Sequence, residues 1–137
     1  MTTGHDIAIL PDHVLSAVLT HAKRQAKGSR FAFRSHDYNL QEIFSDLAGK
    51  YPILSPFVFS DTGPEPFSPI LNDSVSRLQL SGLIGRENPD YEVVFLSPSA
   101  EAFYDDVLKP RLAPKDIEQL EEIAKKFLEH VKVVAAP

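Results

Sequence analysis

The chain contains no cysteine. That removes disulfides, thiolate nucleophiles and every cysteine-ligated zinc site from consideration. It also has no run approaching the roughly 18 consecutive apolar residues of a membrane span, and Met1 to Asp6 lack the basic region of a secretory signal. The expected setting is therefore the cytoplasm, without a membrane partner. HExxH, GxSxG, SxxK, P-loop and GxGxxG patterns are all missing. Nothing in the residue pattern points to catalysis, a cofactor or a metal, and the expected protein is not an enzyme.

One charge is missing locally. Between His13 and His36 there is no acidic residue, while Lys23, Arg24, Lys27, Arg30 and Arg34 fall in that interval. From Asp37 onward nine basic residues face seventeen acidic ones, so a net charge of -5 conceals a basic early part and an acidic remainder. The overall acidity argues against a protein that coats nucleic acid. With 137 residues, 43% apolar and 24% charged, the chain suits one ordinary globular domain over 1–137.

Apolar spacing places the helices. Val14, Leu15, Val18, Leu19 and Ala22 mark a first helix from Pro11-Asp12 to Gly28, and Phe31 and Phe33 alternate as a short strand. Asp37 is the expected N-cap of a second helix with the face Leu40, Ile43, Phe44 and Leu47, ending at Gly49. Pro52, Pro56, Pro64, Pro66 and Pro69 break any helix between Tyr51 and Pro69. Ser68 then caps a third helix with Pro69 in its first turn, an expected buried side of Ile70, Leu71, Val75, Leu78 and Leu80, and Gly82 as its stop. Leu83-Ile84 and Tyr91 to Leu96 form an expected hairpin around Glu87 to Asp90. Ser97-Pro98-Ser99 caps a fourth helix reaching about Leu108. A last helix over about 114–134 carries Ile117, Leu120, Ile123, Ala124, Phe127, Leu128 and Val131 on one stripe. That stripe is expected either to cover the first helix or to form a homodimer seam.

This order reads as mainly α (α+β): a winged helix-turn-helix over about 12–108, with a small β-hairpin wing and additional C-terminal helices. More narrowly, Leu40-Gln41-Glu42-Ile43-Phe44, Phe57-Val58-Phe59, Gly63-Pro64, Phe67-Ser68-Pro69-Ile70-Leu71, Leu78 and Gly82-Leu83-Ile84 resemble the bacterial Panacea/SocA-like and YwgA-like families. The similarity covers about Asn39 to Tyr104, with Glu42 in place of the family's lysine and Glu65-Pro66 lengthening its turn. It implies antitoxin- or adaptor-like protein binding and brings no catalytic residues.

Two sets of residues are candidates for contact with a partner. The third helix offers Asn72, Ser74, Ser76, Arg77, Gln79 and Ser81, with Arg86 on the hairpin; Lys23, Arg24, Lys27, Arg30 and Arg34 form the basic cluster. Side chains of the first set are those that read a major groove, but Arg77 is the helix's only cation and the hairpin also carries Glu87, Asp90 and Glu92. The expected function is a regulatory or protein-interaction module, with a dimeric DNA-binding transcription regulator as the alternative. Histidines 13 and 21 lie eight apart without an intervening carboxylate, and Asp105-Asp106 and Glu121-Glu122 diverge around a helix. Both read as surface or packing features. Any unrecognised chemistry would sit near His36, Asp37 and Tyr38.

Overall fold

The computed structural model describes residues 10–26, 32–34, 40–60, 63, 66–82, 84–88 and 91–130; at 32–34, 84–88 and 91–95 the description is of the backbone alone. The helices are α1 (Pro11–Ala26), α2 (Leu40–Ala48), α3 (Pro69–Leu80), α4 (Pro98–Phe103) and α5 (Pro114–His130). Three short backbone segments, β1 (Ala32–Arg34), β2 (Ile84–Asn88) and β3 (Tyr91–Leu96), pair antiparallel in the order β1-β3-β2.

The expected winged helix with a hairpin wing is corrected. Over the residues described in full, 78% are helical and 3% are strand, so the protein is mainly α and that architecture is not shown. The physical reason lies in what carries the core. Among the side chains described, Leu96 is the buried apolar one that lies in a strand, and α1, α2, α3 and α5 supply most of the rest. The β2–β3 pairing is short and irregular, with a register shift between Arg86 and Asn88. Alternation and turn residues around 83–96 marked a hairpin, and the described core is built mainly by helices packed on α1.

α1 is the central element. It packs against α3 and α5, so Ser16, Ala17 and Thr20 are buried along with the anticipated Val14, Leu15, Val18, Leu19 and Ala22. The burial of Thr20 is satisfied locally, its hydroxyl donating to the Ser16 carbonyl at 2.9 Å. The apolar stripe of α5 does cover α1: Leu120, Ile123, Ala124 and Phe127 are fully buried. Its opposite side, Lys115, Glu118, Glu121, Glu122, Lys125 and Glu129, is exposed and charged. Val131, like the N-cap candidate Asp37, lies outside the described residues.

The start of α3 is tightly specified. Ser68 accepts a hydrogen bond from the Leu71 amide at 3.2 Å, with Pro69 at the first helical position. Gln41 on α2 fastens the same residue from outside. Its Oε1 accepts from the Ser68 amide at 2.7 Å and its Nε2 donates to the Ser68 carbonyl at 3.2 Å. Replacing Ser68 by Ala should cost about 1 kcal/mol, typical of a lost cap, and Gln41→Leu about 1–3 kcal/mol, since it takes the acceptor from the amide N–H of a buried residue, while the carbonyl keeps the Asn72 amide. Urea unfolding of the two variants checks both values.

Only part of the expected α3 face is buried. Leu71 and Leu78 are in the core, Ser74 joins them, and Val75 is half-buried; Ile70 is 37% exposed and Leu80 88% exposed. The row 71, 74, 78 follows i, i+3, i+7, and neither 70 nor 80 lies on it. Gly82 ends the helix at φ 81° with no atom within 4 Å of where a Cβ would sit. A Gly82→Val change therefore meets only backbone strain and should lower stability by about 1–2 kcal/mol. Asn there should cost less.

The fourth helix reaches Leu108 as expected, but only its first part is α-helical. α4 passes into a π-helical stretch, Tyr104–Leu108, and a 3-10 turn, Lys109–Arg111. Ser97 stands at its N-cap, but its hydroxyl makes no capping hydrogen bond and pairs with that of Ser99 at 2.9 Å.

Candidate functional site

The basic cluster is engaged inside the molecule. Lys23 Nζ lies 2.7 Å from Glu101 Oε2, and Arg24 reaches Glu101 Oε1 at 3.1 Å and Asp105 Oδ2 at 2.8 Å. The Arg24 guanidinium also sits 5.6 Å from the centre of the Tyr104 ring. The Arg24 hydrogen bond holds the Asp105 carboxyl below its usual range. Burial pushes Glu101 up, but Lys23 and Arg24 outweigh it and the net direction is down. Lys27 and Arg30 lie outside the described residues. At Arg34 and Arg86 only the backbone is described, paired with Val93 and Val94 respectively.

Arg77 is also paired. Its Nε donates to Asp12 Oδ2 at 2.7 Å and a terminal nitrogen to Oδ1 at 2.9 Å, the two-pronged geometry of a guanidinium on a carboxylate. That contact holds Asp12 below the usual carboxylate range. Asn72 and Ser76 are exposed, Gln79 is half-buried, and Ser74 is buried and thus removed from any contact surface. The structure does not merge the α1 cations and the α3 residues into one positive patch. Each described cation of α1 and α3 has a carboxylate on it.

The apolar exposure has a pattern. Among the described residues, the exposed large hydrophobic side chains are Leu10, Val58, Phe67, Ile70 and Leu80. Ile70 and Leu80 lie on α3. Phe67 and Val58 lie on the segment leading into it, where Ser60 and Phe67 form an isolated antiparallel bridge. A recess of about 490 Å³ beside Leu80 is lined by His13, Leu78 and Phe103, among others.

A second feature had no sequence signal, because its residues are 83 apart. His21 Nε2 and Tyr104 Oη are 2.6 Å from each other, in the wall of an open cleft of about 700 Å³ with Glu118, Glu121, Lys109 and Lys125 on its rim. Burial pushes the imidazole down and the phenol up, so both are neutral near pH 7 and satisfy one another. Around His21, Glu121 and Asp105 oppose that downward shift and Arg24 and Lys109 add to it. Burial lowers His13 too.

These directions fix a sign. Both histidines bind protons more weakly folded than unfolded, so stability is full above their ordinary value of about 6.5 and falls as pH drops through it. Asp12, Glu101 and Asp105 add their loss only below about pH 4. The melting temperature should therefore decline between about pH 7.5 and 5.5, and less steeply in His21→Gln. An unchanged slope in that variant would assign the decline elsewhere.

Among the described residues, no group of three His, Asp or Glu side chains could hold a metal ion, and no helix is long and apolar enough to cross a membrane. No family model matches the chain, nor does any curated protein or solved structure. The family resemblance therefore rests on its sequence motifs alone.

Proposed function

We propose that the protein is a non-enzymatic interaction module, regulatory or adaptor-like and cytoplasmic, that binds protein through the outer face of α3 and the segment entering it. The observation that carries this reading is the contrast on α3. Its one cation is held by Asp12, while Leu80, Ile70 and the neighbouring Phe67 and Val58 offer apolar surface to solvent. Phosphate binding needs unpaired Lys and Arg; protein contact is driven by apolar anchors with polar groups around them. The paired carboxylates on Lys23, Arg24 and Arg77 favour the second.

Quantitative affinity capture from native lysate with the wild-type chain and with Leu80→Asp tests it. Proteins captured by the wild type and lost with Leu80→Asp support the proposal. An identical set with both, or retention of duplex DNA that falls steeply with salt, would overturn it.

A further inference from the structure

On α3, residues 70, 73, 77 and 80 follow the spacing i, i+3, i+7, i+10, a seam on the outer side of the helix. In order they are Ile70, Asp73, Arg77 and Leu80, all exposed, Leu80 at 88% and the Arg77 side chain at 54%. Apolar, acid, base, apolar is a sequence that complements its own reverse. When a second α3 lies antiparallel with the two-fold axis opposite position 75, Ile70 meets Leu80 of the second copy and Asp73 meets its Arg77. The axis repeats each contact.

We infer that the partner of this face is a second copy of the same chain, docked antiparallel on α3 through reciprocal Ile70–Leu80 and Asp73–Arg77 contacts. The inference rests on the protein-binding reading and names the partner. Charge sets the orientation: a parallel register stacks Asp73 on Asp73 and Arg77 on Arg77, which repel, whereas the antiparallel one pairs them. Arg77 can serve both carboxylates, since Asp12 takes Nε and one terminal nitrogen and a guanidinium has five N–H donors. The recess lined by His13, Leu78 and Phe103 beside Leu80 gives Ile70 of the second copy a depression to fill. The apolar stripe of α5, the other candidate seam, is occupied by α1.

Four residues a side make a small interface, so the association is concentration-dependent. Sedimentation of the full chain from about 1 μM to 1 mM should show the mass rising from one chain to two. Leu80→Asp, at an exposed position that the fold does not need, should raise the dissociation constant more than about hundredfold, because two leucines leave apolar contact. Asp73→Arg and Arg77→Glu alone should each be monomeric, facing like charge twice. Mixed in equal amounts they should dimerise, since both cross-pairs are then opposite in sign. Circular dichroism establishes that each variant is folded.

A wild type that stays monomeric throughout would overturn the inference. So would a Leu80→Asp dimer as tight as the wild type, or a mixture of folded charge variants that stays monomeric. A monomeric wild type whose protein capture still depends on Leu80 would remove self-pairing and leave the protein-binding reading standing.

Discussion

Replacing Phe44 by Ala is expected to lower the unfolding free energy by about 3–5 kcal/mol. Phe44 is fully buried on α2, and its ring meets Phe57 edge-on at 5.7 Å and Phe127 at 6.3 Å. It therefore joins α2, the proline-rich segment and α5 in one contact. Truncation removes the apolar area, two aromatic contacts and the volume that keeps the three apart. Domains of this size are stable by about 5–15 kcal/mol, so the variant should unfold at markedly lower urea with an unchanged slope. Phe44→Leu, which keeps most of the volume, should cost well under half as much. Equal losses in both would mean that the ring contacts, rather than packing volume, hold the junction.

Tyr104 gives the second large effect and separates packing from hydrogen bonding. Only 1% exposed, it lies edge-on to His21 at 5.0 Å and under the Arg24 guanidinium. Tyr104→Ala should cost about 3–5 kcal/mol, as other buried aromatic truncations do. Tyr104→Phe keeps the ring and loses only the 2.6 Å contact to His21, and should cost about 1 kcal/mol. Thermal unfolding of the pair at pH 7.5 distinguishes them. A Phe variant as damaged as the Ala variant would mean that the hydrogen bond, and not the buried ring, holds this junction.

The helices were legible because their apolar periodicity and punctuation agree. Ser68, Pro69 and Gly82 bracket α3 as their chemistry requires, and the faces of α1, α2 and α5 are those their spacing marks. Three things were not legible. Whether alternation at 83–96 would set the architecture depended on the balance of strand against helix, and over the residues described in full helix predominates. Ile70 and Leu80 read as core because they are apolar and near helical spacing, yet a twelve-residue helix buries one row only. The pairings of Arg77 with Asp12, of Arg24 with Glu101 and Asp105, and of His21 with Tyr104 span 65 to 83 positions. No local pattern encodes such distances, so the partners of these side chains could not be named from the sequence.

The most direct test of α3 as the protein-binding face is photocrosslinking in cells, with a photoreactive residue at position 80 and, as control, at the exposed Glu129 on α5. A protein-binding α3 predicts a discrete protein adduct from position 80 and none from position 129; self-pairing further predicts that the adduct has the mass of two chains. Adducts to nucleic acid from position 80, or protein adducts from 129 alone, would contradict it.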